Sequence, residues 1–263
     1  MQVDSRLPTP LLKVSGLTRY YGARIGCAEV GFELWPGEVL AVVGESGSGK
    51  STLLKLLSTR LAADAGTIEY ALLGRGLTEL SRLSEAERRW LLRTDWGFVE
   101  QNPRDGLRMD GSAGANVGER LMATGARHYG EIRATAQDWL ARVELDPARI
   151  DEAPTRFSGG MQQRLQIARN LVTKPRLMLM DEPTAGLDVS VQARLLDLLR
   201  ELVTRYGLAA VIVTHDLAVA RLLAHRLLVM QGGRVVETGL TDQVLDDPQH
   251  PYTQLLVSSV LHL

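Results

Sequence analysis

VLAVVGESGSGKS, residues 39–51, decides how the rest of the chain is read. Val39 to Val43 is a short, unbroken apolar run, as in a strand buried on both faces. Gly44 to Ser51 then fits the spacing G-x-x-x-x-G-K-[ST] of a phosphate loop. The residues after it predict a helix over about 51–60. Glycines let backbone N–H groups turn inward around phosphate oxygens, and the helix start adds unpaired donors and a positive dipole end. Lys50 can reach the outer phosphates as a point charge. The Ser51 hydroxyl can ligate Mg²⁺. The candidate phosphate-binding residues are therefore Gly44, Glu45, Ser46, Gly47, Ser48, Gly49, Lys50, Ser51 and Thr52. A chance glycine-rich turn is the alternative, and the flanking strand and helix speak against it.

Upstream, residues 11–34 read as antiparallel strands, with Pro36-Gly37 as a turn before the buried run. Thr67 to Tyr70 predicts a further strand. Between about Asn102 and Thr155 the texture changes. Gly106 to Gly118 is glycine-rich and is expected to be irregular. Beyond it Ile132, Ala136, Trp139, Leu140 and Val143 recur at helical spacing, as in a core-facing stripe. The β/α texture then returns. Leu177 to Met180 and Ala209 to Val213 predict strands, Val189 to Val203 a helix, and Gln231-Gly232-Gly233 a hairpin turn. Strands alternating with helices argue for a mainly parallel α/β sheet.

Two more motifs carry chemistry. LMLMDE, residues 177–182, places Asp181 at the carboxyl end of a strand, the usual ligand side of such sheets. Asp181 would hold Mg²⁺, and Glu182 can polarise an attacking water. Any exposed strand end can look like this; beside a phosphate loop the pair gains weight. SGGMQ, residues 158–162, opens a helix with a serine and two glycines. Ser158, Gly159 and Gly160 thus form a second anion-binding helix start. One nucleotide cannot easily use both within a monomer. A two-fold dimer can use both, giving two equivalent composite sites.

In this order, the phosphate loop, Gln101, SGGMQ, LMLMDE, Gly186-Leu187-Asp188 and His215 resemble an ABC-type ATPase over nearly the whole chain. The resemblance implies a P-loop NTPase core of α/β class, with an antiparallel β subdomain and an inserted α-helical subdomain. Residues 1–101 and 175–263 would form the nucleotide-binding core, and 102–174 the insertion. It implies ATP and Mg²⁺ as cofactors. Gln101 would sense Mg²⁺ and the attacking water, Asp188 would lie at the dimer seam, and His215 would contact the γ-phosphate. Tyr21 would stack on adenine, with Tyr20 the competing choice. Phe157 and Met161 depart from the commonest signature, LSGGQ, but Ser158 and both glycines remain.

Hydrophobic residues make up 45% of the 263, enough for a buried core, while a net charge of −1 gives no whole-chain pull toward nucleic acid or anionic lipid. Cys27 is the only cysteine, so an internal disulfide is impossible, and a small buried residue is expected there. No stretch is apolar for the roughly 18–20 residues that span a bilayer. The first residues lack a signal-peptide pattern. A cytoplasmic chain is expected, with any membrane part supplied by another protein.

The C-terminal DDPQHPYTQLL, residues 246–256, resembles oligopeptide- and nickel-type import ATPases, and its Tyr252, Leu255 and Leu256 are expected to pack on the body. Residues 91–108 and 119–140, with FSGGMQQRLQIARNLVTKP (157–175) and SVQARLLDLLR (190–200), resemble the ABC subunits of bacterial carbon–phosphorus lyase systems. That resemblance implies soluble lyase core subunits as partners in phosphonate breakdown. The import ATPases imply a membrane permease instead. A non-hydrolysing ATP-gated scaffold is disfavoured by Glu182 and His215, which a scaffold could lose. Pro103 to Gly118, charged and glycine-rich after Gln101, is the expected docking segment, its four glycines allowing unusual backbone shapes.

Overall fold

The computed structural model describes residues 9–260. The chain opens with strands β1 (Leu12–Tyr21), β2 (Arg24–Leu34) and β3 (Val39–Val43), then helix α1 (Lys50–Leu57). Strands β4 (Ala65–Leu72) and β5 (Gly76–Glu79), helix α2 (Glu85–Thr94) and strand β6 (Trp96–Val99) follow. A helical stretch holds α3 (Pro103–Gly106), α4 (Ala113–Ala123), α5 (Tyr129–Arg142) and α6 (Gly159–Leu171). The chain then runs through β7 (Leu177–Asp181), α7 (Val189–Tyr206), β8 (Ala209–Val213) and α8 (Leu217–Leu223). It ends with β9 (Arg226–Gln231), β10 (Arg234–Leu240), α9 (Thr241–Asp246) and α10 (Pro251–Val260).

Two sheets organise these elements. One is antiparallel, in the order β2-β1-β4-β5. The other runs β10-β9-β3-β8-β7-β6 and is parallel except for the β9–β10 hairpin. All five residues of β3 are buried, as the unbroken apolar run predicts. Successive side chains of a strand point to opposite faces. Leu40 and Val42 accordingly join the core that holds α1 and the antiparallel sheet, while Ala41 and Val43 face a smaller core with Leu217, Val244 and Tyr252. Leu177 and Leu179 of β7 face the first of these cores, and Met178 and Met180 pack under α5, α6 and α7. Central strands covered on both faces cannot alternate polar and apolar residues, so their sequence is a solid apolar run.

Register brings the motifs to one edge. Val42 pairs with Val213, and Asp181 pairs with the same Val213. The residues after these three positions therefore leave the sheet together at its carboxyl ends. Cys27 is fully buried, and burial pushes its thiol up to about 11, so it is a packing residue.

The stretch 106–118 is irregular only in part. It holds the last residue of α3, a turn over 107–112 and the start of α4, whose N-cap Ser112 accepts from the Ala115 N–H at 3.1 Å. Buried Asn116 ties the turn before it, accepting from Arg108 N–H at 2.8 Å and donating to Arg108 O at 3.0 Å. None of Gly106, Gly111, Gly114 and Gly118 has a positive φ. Three of them, Gly106, Gly114 and Gly118, serve close packing instead. A Cβ on Gly114 would stand 2.6 Å from Ile150, and one on Gly118 would stand 2.8 Å from Ile132. The C-terminal expectation also needs correcting. Tyr252 is buried and Leu256 partly so, but Leu255 is 65% exposed and Thr253 takes the inward position.

Candidate nucleotide site

The phosphate loop connects β3 to α1. Gly44 has φ 146° and Gly49, the N-cap of α1, has φ 106°. Neither could carry a side chain: a Cβ would stand 2.2 Å from Met230 O at Gly44 and 2.3 Å from Gly26 O at Gly49. The loop is pressed between β9 and β2, which leaves its outer rim to a ligand. A cleft of about 220 Å³ opens there, lined by Gly47, Gly49, Lys50, Ser51 and Thr52, with Tyr21 across from them. Tyr20 does not line it. Arg24 and Gly26 do, and no sequence motif marks them: the β1–β2 hairpin reaches the loop only through folding. A Cβ on Gly26 would stand 2.8 Å from Tyr21 Cε2, so that glycine seats the ring.

Lys50 Nζ donates to Gly44 O and Glu45 O, each at 2.7 Å. Burial lowers the pKa of its ammonium, against the opposing pull of the Glu182, Asp181 and Glu45 carboxylates. Burial likewise raises the pKa of Asp181, and the neighbouring Ser51 hydroxyl pulls it back. Ser51 and Asp181 are hard oxygen donors side by side at the helix start. That suits Mg²⁺, which keeps several waters and takes one or two protein oxygens beside phosphate.

Glu182 sits with φ 47°, an uncommon backbone for a side chain of its size. Its amide donates to Val213 O at 2.9 Å, which holds that turn against β8. Oε1 accepts from His215 N at 3.1 Å and lies 2.7 Å from His215 Nδ1. Oε2 accepts from Thr214 Oγ1 at 3.2 Å. A carboxylate only accepts, so His215 Nδ1 carries the proton and Nε2 is left free on a ring that is 74% exposed.

Lys50, Ser51, Asp181, Glu182 and His215 therefore form one cluster. Ser158, Gly159 and Gly160 line no part of that cleft and are exposed or half-buried elsewhere. Ser158 caps α6, accepting from Met161 N–H at 3.3 Å. A Cβ on Gly160 would stand 3.2 Å from Leu187 Cδ2, so the 186–188 turn lies beside this helix start. Asp188 caps α7 through Val191 N–H, and that bond lowers its pKa. Gln101 is exposed and does not line the cleft.

The C-terminal segment also reaches the loop. Glu237 accepts from the N–H groups of Gln249 and His250, fixing the turn before α10. Tyr252 on α10 is thereby placed so that its hydroxyl accepts from Glu45 N–H at 2.8 Å. Tyr252→Phe removes that acceptor and the hydroxyl's bond to the Glu45 side chain. A neutral hydrogen bond is worth about 1 kcal/mol, so nucleotide affinity should weaken roughly fivefold while saturated turnover holds. Titration calorimetry beside steady-state kinetics checks this.

Comparison with known proteins agrees with the geometry. The family model described as "ABC transporter" matches residues 27–185, and one described as "Oligopeptide/dipeptide transporter, C-terminal region" matches 236–263. The chain is 68% identical to the putative phosphonates utilization ATP-binding protein PhnK of Escherichia coli (strain K12), covering 96% of this chain and 98% of that one. It is 36% identical to the dipeptide transport ATP-binding protein DppF of the same organism, covering 99% and 79%. Among solved structures, the dimeric post-hydrolysis state of the ATP-binding cassette MJ0796 bound to ADP and Pi superposes with a TM-score of 0.79 at 29% identity, covering 88% and 98%. CbiO1 from Clostridium perfringens superposes at 0.76 with 27% identity, covering 97% and 98%. The chain belongs to the ABC family of ATP-binding proteins.

Proposed function

We propose that this chain is a Mg²⁺-dependent ATPase working as a head-to-tail homodimer that couples its cycle to soluble carbon–phosphorus lyase subunits. The observation that carries the ATPase reading is the cluster of Lys50, Ser51, Asp181, Glu182 and His215 at one sheet edge. ATP binds with its phosphates along residues 44–52 and its base against Tyr21. Ser51 and Asp181 would hold a Mg²⁺ ion, which would offset phosphate charge, with Gln101 joining them from its exposed position outside the cleft. Glu182 orients the attacking water and receives its proton, and His215 Nε2 reaches the γ-phosphate. The partner's Ser158-Gly159-Gly160 turn closes over that phosphate, with Asp188 at the seam. Dimeric neighbours such as the MJ0796 cassette support the two-fold arrangement. Among the described residues no helix is long and apolar enough to cross a membrane. A cytoplasmic location fits.

The lyase partner rests on 68% identity to a phosphonates utilization protein over nearly its full length. A second reading is the ATP-binding subunit of a peptide, nickel or phosphonate importer. The C-terminal match and the 36% identity to a dipeptide transport protein favour it. A pull-down from cells separates the two, recovering either soluble lyase subunits or a permease. Arg104 and Arg108 are exposed on the segment after Gln101. Charged rim contacts select partners more than they add affinity. Reversing both to Glu should spare ATP binding, abolish co-purification with the lyase core and stop growth on a phosphonate as sole phosphorus source. Unchanged co-purification would move the docking surface elsewhere.

A further inference from the structure

Helix α6 carries side-chain amides where a core helix ordinarily packs apolar atoms. Gln162, Gln163, Gln166 and Asn170 are all buried, Gln166 completely. Buried amides are costly unless bonded, so each requires partners. Gln162 donates to Pro154 O at 2.9 Å and Phe157 O at 3.1 Å, holding the turn before the helix. The other three serve a different end.

Strand β6 is the edge of the parallel sheet, so alternate peptide groups face away from β7 without a strand neighbour. Side chains of α6 fill that place. Phe98 N–H donates to Asn170 Oδ1 at 3.0 Å. Glu100 N–H donates to Gln166 Oε1, and Gln166 Nε2 donates back to Glu100 O at 3.2 Å. One amide thus exchanges both bonds with one peptide, as a paired strand residue would.

That exchange fixes the rest of the chain of bonds. With Oε1 committed to a backbone N–H, Nε2 is the donor, and it also reaches Gln163 Oε1 at 3.3 Å. Gln163 Nε2 is left to donate to Pro183 O at 3.3 Å. The relay runs Glu100–Gln166–Gln163–Pro183. Its ends are the residue just before Gln101 and the residue just after Glu182. Gly106 encloses it: a Cβ there would stand 2.3 Å from Gln166 Oε1. Bonds in such a dry, connected network hold their members to one geometry.

We propose that Gln166 and Gln163 are positioning residues for hydrolysis. They lock the backbones beside Gln101 and Glu182 to the helix that begins at Ser158. When that helix start docks on a partner's phosphate, Gln101 and Glu182 of the same chain move with it as one body. This rests on the ATPase reading above and adds how the two half-sites of a dimer keep step.

Gln166→Met keeps length and volume and removes donor and acceptor together. Its kcat at saturating ATP should fall about tenfold, with the monomer's Kd for ATP within twofold of the parent, because the phosphate loop is untouched. Gln163→Met breaks the bonds to Pro183 and to Gln166 but spares the exchange with Glu100, and should show the same split. Because the two act in series, the double variant should lose little more than Gln166→Met alone. A fall in kcat of less than threefold in the folded Gln166→Met protein overturns the relay. So does a Kd that weakens in step with kcat, the mark of general loosening. If Gln166→Met does not fold, Gln163→Met decides by the same two measurements. The parent and Glu182→Gln are assayed alongside. A parent without ATP turnover overturns the ATPase reading, whereas an active parent with unimpaired variants overturns the relay alone.

Discussion

Glu182→Gln is expected to leave ATP binding near normal and to lower turnover by roughly 10²- to 10⁴-fold, the range of a lost general base. The substitution is nearly isosteric. The amide oxygen can still accept from His215 N–H and Nδ1–H, and the Thr214 hydroxyl can rotate to accept from the new NH₂ group. The φ of 47° at this position is a backbone property, and Gln tolerates it about as well as Glu. The fold therefore keeps its local bonds, and the melting temperature should move by only a few degrees. What disappears is a group that can take a proton from water. Unable to finish the cycle, the variant should accumulate as an ATP-bound dimer. Single-turnover kinetics with a phosphate sensor measures the loss. Near-normal turnover would remove Glu182 from the role of base.

Most of this site was legible in order but not in space. Val39–Val43 and Leu177–Asp181 announce themselves because strands covered on both faces must be solidly apolar. The residues at their carboxyl ends then stand out as the first polar groups after each run. Register supplied the missing step: Val213 pairs with both Val42 and Asp181 and so gathers three strand ends. Residues reaching the site from other elements carry no such mark. Arg24 and Gly26 arrive on a hairpin, and Tyr252 arrives on the last helix, 207 positions from its bonding partner Glu45. Gly106, Gly114 and Gly118 were misleading for a definite reason. A cluster of glycines has the same composition whether it frees the backbone or lets helices approach closely, and only the neighbours Gln166, Ile150 and Ile132 tell the two apart. Gln166 was hidden likewise, since a polar residue on a helix reads as solvated until an edge strand is found beside it.

Lys50→Ala and Ser158→Arg should fail in different ways, and the difference tests the composite site. Lys50 is the buried ammonium of the loop, already stripped of much of its hydration. Hydrogen bonds to a charged group are worth about 1.5–3 kcal/mol, so the Lys50→Ala monomer should bind ATP roughly 10- to 100-fold more weakly. Ser158 is exposed and lines no part of its own chain's cleft. An Arg side chain there meets solvent in the monomer and should leave ATP affinity within about twofold of normal. It costs the cap bond to Met161 N–H, about 0.5–2 kcal/mol of stability, which Ser158→Ala reproduces without added bulk. In a head-to-tail dimer the same Arg would fill the space where the α6 start meets the partner's γ-phosphate. On the Glu182→Gln background, light scattering with ATP should therefore show dimers for the parent and for Ser158→Ala, the latter at somewhat higher protein concentration. Ser158→Arg should remain monomeric at all ATP concentrations while its titration curve for ATP stays normal. Lys50→Ala should dimerise only at raised ATP, because its defect lies in filling the site and not in closing over it. If Ser158→Arg dimerises like the parent, the helix start at Gly159 does not face a partner's phosphate, and the two half-sites are joined in some other way.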